Sequence, residues 1–516
     1  MVHATSLKRF SAVSVALGLL GLGAIEARAQ DTDPLARVNQ DELASFYGRM
    51  NVVVGSGARA FGMGGAFLAR ADDATAASWN PAGLSYLRRT EFSLVGVHND
   101  FSQRVPRLNA VLENPGDSPL PVKTVDQLRG SVADFVGVAY PFRIKGKSGA
   151  LQASYQRSFS FTGSRRSEGP VGVKGFVDGR KIQPTEFTVE GKGGFDTVSL
   201  SSGFEVHPRL RLGVSVNWWI NGFSQLVDRP NAQTGGYRRI ESTWDISGTN
   251  FNVGGLITPT PKLNLGVVYK TPFAARVRLT KVREDLTTAA LDPLTNLRPV
   301  PDVNRRSGDV TLRFPRVYGL GASYRPSNTL TFSADFTRTA WSRATITNFF
   351  SLARRPASSD GGLVNGVDPY VDIYGDRPFP AVEVPATAEG VFRQVDTGQV
   401  RTGVEWVLRL GQSGGLLIPL RAGFFRDGQP VIIKLKDAGR PEADGIETQP
   451  SFSGFTAGFG VTVGGVLFDV AYIREGGDVP ASRKADGVDL KDPDGKRNIR
   501  YNRLFASVML RFGQRH

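Results

Sequence analysis

Segments of two-residue periodicity run through this chain, joined by connections that alternate between very short and long. Leu210, Leu212, Val214, Val216, Trp218 and Ile220 share one face of a strand, against Arg209, Arg211, Gly213, Ser215 and Asn217 on the other. Leu330, Phe332, Ala334 and Phe336 oppose Thr331, Ser333, Asp335 and Thr337 in the same way. So do Leu504, Ala506, Val508, Leu510 and Phe512 against Arg503, Ser507 and Arg511. Continued along the chain, the pattern predicts about fourteen strands, near 90–99, 133–142, 149–161, 195–206, 209–221, 244–257, 262–279, 309–324, 329–338, 398–409, 416–426, 452–463, 465–474 and 500–512. Connections at 144–148, 207–208, 258–261, 325–328, 410–415 and 464 are short. Those at 100–132, 162–194, 222–243, 280–308, 339–397, 427–451 and 475–499 are long. Short turns on one rim and long loops on the other are the plan of an outer-membrane barrel. The expected fold is all-β: an antiparallel transmembrane β-barrel of about fourteen strands, with both termini on the short-turn, periplasmic side. A soluble propeller would repeat every four strands, and no such period occurs.

Composition narrows the chemistry. The 516 residues include no Cys, which removes disulfides, thiolate zinc sites and cysteine nucleophiles. Of 4 His, His3 lies in a targeting segment and His516 ends the chain. His98-Asn99-Asp100 is the one local set that could serve a hydrolase, and no serine motif accompanies it. The expectation is no enzyme, no metal and no cofactor.

Lys8 and Arg9 precede an apolar run from Phe10 to Ile25, and Ala27-Arg28-Ala29 supplies small residues for cleavage. Residues 1–29 read as a signal peptide, which places the mature chain in the bacterial outer membrane. Cleavage leaves 487 residues with a formal charge of +13. That surplus belongs to residues 90–516, and basic loops facing lipopolysaccharide phosphates account for it more simply than nucleic acid does.

Residues 30–89 do not alternate and are rich in Gly and Ala, with acids and bases in balance. They read as a hatch, or plug, ahead of a barrel domain at 90–516. The spacing Gly55-x-Gly57-x-x-x-x-Gly62 is not a dinucleotide fingerprint. Within the barrel, the apolar phase is expected to meet lipid and the polar phase to line the lumen. Tyr140, Tyr155, Trp218, Tyr269, Tyr324, Trp406 and Tyr472 are candidates for interfacial girdles.

The run Gly65-Ala66-Phe67-Leu68-Ala69-Arg70-Ala71-Asp72-Asp73-Ala74, followed by Asn80-Pro81-Ala82-Gly83-Leu84, resembles the hatch of FadL/TodX-type outer-membrane transporters. Two barrel blocks are similar as well: residues 263–273, and 318–326 through Trp341. The resemblance implies a fourteen-stranded barrel plugged by its N-terminal segment. It implies passive transport of hydrophobic small molecules, long-chain fatty acids or hydrocarbons, with sideways release at an inward kink in strand three. Asp72, Asp73, Asn80, Pro81 and Ala82 would then form the hatch and lateral gate. A related hatch pattern occurs in PorV-type shuttle barrels, so a protein-binding scaffold is the alternative.

Substrate cations are sought on the lumen phase, because a carboxylate needs a desolvated yet accessible partner. Arg276, Arg278 and Arg313 are the candidates there, with Arg157 as a fourth; Arg401 shares the lumen phase, as do Asp335, Glu405 and Asp469. Arg157 interrupts the apolar phase of strand three. It lies either near the rim or at a bulge that turns it inward. The other expected partners are outer-membrane lipid and the barrel assembly machinery, for a monomer.

Overall fold

The computed structural model of the protein describes residues 55–104, 108–109, 121–122, 125–169, 185–230, 237–286, 302–347, 392–410, 416–434, 447–480, 484–485, 488–489 and 496–513. The signal-peptide assignment, residues 30–54 of the expected hatch and residues 348–391 of the large loop lie outside the described residues.

Fourteen antiparallel strands close on themselves. They are β1 (Thr90–Arg104), β2 (Val125–Ile144), β3 (Lys147–Ser160 with Gly163–Gly169), β4 (Thr185–His207) and β5 (Leu210–Ile220 with Gly222–Pro230). There follow β6 (Tyr237–Thr260), β7 (Leu263–Lys270 with Phe273–Leu286), β8 (Asp302–Phe314 with Val317–Tyr324) and β9 (Leu330–Thr339 with Thr345–Thr347). The last five are β10 (Thr397–Leu410), β11 (Leu416–Gly428), β12 (Ser451–Val463), β13 (Val466–Pro480) and β14 (Lys496–Phe512). Neighbours in sequence are neighbours in the sheet, and β14 pairs with β1 from Thr90↔Phe512 to Arg104↔Asn498. Closure leaves the sheet no free edge.

A belt of exposed apolar side chains rings the outside, among them Leu151, Leu200, Val214, Val253, Leu320, Phe332, Phe459 and Leu504. On a monomer in water such a belt would be untenable; facing lipid it is the stable arrangement. Tyr140, Tyr324 and Trp406 bound it toward the short-turn rim, all exposed. Toward the long-loop rim, Trp218 and Tyr318 do the same, and the Tyr269 ring lies 5.2 Å from that of Tyr318. Aromatic rings favour this level because they offer one apolar and one polar part to the interface. No helix among the described residues is long and apolar enough to cross a membrane.

Inside, residues 55–89 fold into two short helices, Ala58–Gly62 and Ala76–Trp79, and a 3₁₀ turn, Pro81–Tyr86. Their apolar core of Phe61, Phe67, Leu68, Trp79 and Leu84 continues into barrel residues Val95, Phe135, Val268, Phe425 and Phe505. Glycines on the inner wall permit this closeness. A Cβ on Gly266 would sit 2.6 Å from the Leu68 carbonyl oxygen, and one on Gly254 would overlap the Asn80 side chain.

Candidate functional site: an aromatic pocket above the N-terminal segment

Strands β7 and β8 are interrupted opposite each other. Pairing passes from Lys270↔Val317 to Phe273↔Phe314, leaving Thr271-Pro272 facing Pro315-Arg316. Proline has no N–H to give the ladder, so two prolines at one level end it locally. The break also changes which residues point inward. Below it, Gly266, Val268 and Ser323 are buried on the lumen side. Above it, Ala275, Val277, Leu279, Val310 and Leu312 take that side. Arg276, Arg278 and Arg313 are exposed on the outer wall, above the aromatic girdle. The expected lumen placement of these three arginines is thus corrected: the one-residue phase change turns them to the outside. Arg401, Asp335, Glu405 and Asp469 are buried in the lumen.

With the phase reversed, the inner wall toward the long loops is apolar. Phe159, Phe161, Phe195, Phe223, Trp244, Phe314 and Trp341 form one cluster, with Trp219 and Phe273 against it. Phe273 stacks on Phe314 with centroids 4.7 Å apart, and Trp219 lies 5.0 Å and 5.1 Å from those two rings. Phe161 and Phe223 stack at 3.9 Å. Each such pair is worth about 0.5–1.5 kcal/mol beyond its area, so the cluster is a firm structure.

Beneath it is a cavity of about 110 Å³. Ala77 and Ser78 form the floor; Phe159, Trp219, Phe273, Phe314 and Trp341 contribute aromatic surface. Uncharged polar groups of β3 to β6 line the rest. Ser199 donates to Asn217 (2.7 Å), Asn217 to Asn250 (3.3 Å), and Trp219 Nε1 to Asn250 Oδ1 (2.8 Å). These groups satisfy one another, so the wall is polar without being charged. Lys270 is the cation on the lining, and its ammonium donates to the Ser78 carbonyl at 3.4 Å.

Strand β3 forms one side of this pocket through Ser154, Gln156, Ser158 and Phe159. Its pairing with β2 runs from Ile144↔Lys147 to Phe135↔Gln156 and resumes only at Arg129↔Ser164. Residues 130–134 and 157–163 thus leave a lapse in the wall. Over the same stretch β3 stays paired with β4, with a register shift between Arg157 and Phe159. Gly194 lets the Phe159 carbonyl approach where any Cβ would collide. On the outer face Arg157 forks onto Asp196 (2.5 and 3.1 Å), and Asn221 donates to the same carboxylate at 2.8 Å. Arg157 also reaches the Tyr155 hydroxyl at 3.3 Å. Of the two readings of Arg157 the rim position stands: it lies at the upper girdle, and the neighbouring bulge does not turn it inward. The bulge turns Phe159 inward, while Arg157 stays outside, partly exposed and paired with the buried carboxylate of Asp196.

The expected gate residues lie elsewhere. Asn80 donates to the carbonyls of Leu68 (3.0 Å), Gly255 (3.1 Å) and Val267 (3.4 Å), so it is moored to β6 and β7. Its side-chain oxygen accepts from the Ala82 N–H at 3.2 Å and caps the 3₁₀ turn that Pro81 begins. Pro81 and Ala82 pack against Gly213 of β5. None of the three faces the β2–β3 lapse, which corrects that expectation; the N-terminal residue bonded there is Ser56, to Asp134, while Ala74 accepts from Gln152 lower down, where β2 and β3 are paired.

Asp72 and Asp73 bind Arg59 at 2.7 and 3.2 Å, and Asp72 also holds Arg70. Both arginines continue to Glu405 of β10 at 3.2 Å, which accepts from Arg421 at 2.8 Å. Arg421 pairs in turn with Asp469 at 2.6 Å. Burial pulls the Arg59 pKa down, but the Glu405 and Asp73 carboxylates outweigh it and hold it above its ordinary value. Asp335 of β9 accepts the Phe67 and Leu68 N–H groups at 2.6 and 2.8 Å. His98 meets Ser131 at 2.8 Å on an exposed face, and Asp100 is tied to Arg129 at 3.5 Å. No group of His, Asp and Glu fit to hold a metal occurs among the described residues.

These features belong to a transmembrane barrel with a filled lower lumen and an aromatic upper one, and known structures share the fold. A FadL homologue of Pseudomonas aeruginosa superposes with a TM-score of 0.53 at 16% identity, covering 90% of this chain and 99% of its own. The Ralstonia pickettii toluene transporter TbuX gives 0.51 at 13% identity, covering 89% and 99%. The Pseudomonas putida toluene transporter TodX gives 0.50 at 13%, covering 90% and 100%. The chain thus has the FadL/TodX-type fold. A family model described as BamG matches residues 176–355, about a third of the chain. No curated protein matches.

Proposed function

We propose that this protein is an outer-membrane transporter of hydrophobic small molecules. The observation that carries the reading is the reversal of the lumen lining. Above the proline breaks the inner wall is aromatic, and it leads down into a pocket whose β3 side ends at the lapse against β2. A hydrophobic molecule arriving from the long-loop side would bind among Phe159, Trp219, Phe273 and Phe314. The segment 55–89 acts as the plug that bars the downward path, so release runs sideways through the β2–β3 lapse into lipid. The fold shared with toluene transporters supports this. Lys270 suits a ligand with an anionic end, which favours a long-chain fatty acid over a plain hydrocarbon.

The test is fluorescence titration of the detergent-extracted protein with palmitate and with toluene. Saturable quenching that Phe314→Ala weakens supports the reading. No binding of either ligand by folded protein would favour the alternative, a barrel that serves as a protein-binding scaffold.

A further inference from the structure

The short-turn mouth of the lumen is lined with cations. Arg143 shares the inner phase of β2 with buried Ala139 and Pro141, and Arg209 that of β5 with buried Arg211 and Ser215. Arg325 continues the phase of buried Ser323 at the end of β8, and Arg409 that of buried Glu405 on β10. All four side chains are exposed, so they stand on the lumen side of the rim. The N-terminal segment meets them from within: Tyr86, Arg88 and Arg89 are half-buried at this end, and the Arg211 guanidinium lies 4.3 Å from the Tyr86 ring centroid. Burial, and then the Arg143 charge, hold the pKa of Arg88 below its ordinary value. Burial, then Arg59 and more weakly Arg325, do the same to Arg70 against the opposing pull of Glu405. The wall arginines and those of the segment thus share one recess.

Little offsets this charge. Among the described residues the acids at this end are Glu205, held by Arg211 at 3.1 Å, and Glu91, held by Arg511 at 2.7 Å. Arg143, Arg209, Arg325 and Arg409 have no carboxylate partner among the described residues. Arg325 also stands opposite Lys262, whose carbonyl accepts its backbone N–H at 2.7 Å, so two like charges are neighbours across the ladder. A recess lined by one sign of charge within low-dielectric walls focuses its field and draws anions in. Above it lies the core that the segment shares with the wall, so an anion arriving from the periplasm meets a roof and docks. We propose that this mouth is the docking site for an acidic segment of a periplasmic protein. Its cations stand at the ends of β2, β5, β8 and β10 and do not converge on one point. A single phosphate therefore meets few of them, whereas a run of carboxylates meets them in turn. The docking site does not depend on the transport reading.

The experiment titrates a fluorescein-labelled decaglutamate peptide with full-length protein in neutral detergent and reads fluorescence anisotropy. Wild type is expected to bind the peptide saturably at low salt and to lose it at high salt. Arg143→Gln, Arg209→Gln, Arg325→Gln and Arg409→Gln together should weaken binding about tenfold. Arg276→Gln, Arg278→Gln and Arg313→Gln together, on the outer wall toward the long loops, should leave it unchanged. Heat-modifiable migration in gels confirms that each variant is folded. No binding by wild type, unchanged affinity in the folded four-site variant, or an equal loss in both variants overturns the proposal. Displacement of the peptide by inorganic phosphate, but not by chloride at the same ionic strength, would overturn it in favour of a small-anion site. Should the four-site variant fail to fold, Lys262→Gln with Arg325→Gln is expected to weaken binding about threefold, and no change in that folded pair overturns the docking site.

Discussion

The two sides of the lumen solve different problems with different chemistry. On the β9–β13 side, Asp335, Arg401, Glu405, Arg421 and Asp469 are buried and bonded either to one another or to the N-terminal segment. On the β3–β8 side, the lining is amide, hydroxyl and aromatic ring, with Lys270 alone charged on the pocket wall. Charges out of water hold whatever satisfies them, since leaving them unpaired is costly. They therefore fix the N-terminal segment to the wall. Neutral groups that satisfy one another exact no such cost, so a ligand can arrive and leave without stripping a partner from the wall. Under the proposed transport function, charge in this barrel marks what stays and aromatic surface what a ligand moves across.

The sharpest way to break this comparison is Glu405→Ala. It would leave Arg59, Arg70 and Arg421 without their shared carboxylate, at a cost of about 3–5 kcal/mol. The expected outcome is a loosened plug, seen as higher ion conductance in planar bilayers, with the barrel still closed in gel migration. Conductance at the wild-type level would mean that the charged wall does not hold the segment.

On the other wall, Phe314→Ala removes one ring from a stack of four. It is expected to weaken toluene and palmitate binding about tenfold while leaving conductance unchanged. A conductance change there would erase the division of labour between the walls.

A third test bears on β3. Ser131→Cys with Ser160→Cys places thiols on either side of the β2–β3 lapse in a chain that has no other Cys. With Arg157 and Asp196 intact the pair is expected to oxidise slowly. Arg157→Met should speed cross-linking several-fold, because β3 loses the fork that ties it to β4. Equal rates would show that the glycine-permitted approach at Gly194 suffices to hold the lapse open. Lys270→Met should have the smallest effect, a loss of about fivefold in palmitate affinity with toluene unchanged. A parallel loss for toluene would assign Lys270 to packing against Ser78.

Strand number and rim order were legible because each depends on local pattern. Period two is enforced by the pleat, and the contrast of short and long connections follows from which rim faces which compartment. The face assignment held for Asp335, Arg401, Glu405 and Asp469, where the outside is lipid. It failed for Arg276, Arg278 and Arg313, where the outside is water and the pocket is apolar. Pro272 and Pro315 were the signal available, since a proline inside a strand pattern announces a break. Lys270 was overlooked because a lone lysine at a strand end carries no spacing.

What the sequence alone determined is the set of alternating strands, their order and the presence of a small-residue segment before them. These are contacts between chain neighbours or consequences of backbone periodicity. Only the tertiary structure decided where that segment's groups would find partners. Asn80 bonds carbonyls 175 and 187 residues away, and Arg59 bonds a carboxylate 346 residues away. The lapse between β2 and β3 is likewise absent from either strand read singly. Over that stretch β3 stays paired with β4, where Gly194 admits the Phe159 carbonyl and Asp196 holds Arg157, an arrangement set by two strands at once and therefore invisible in one.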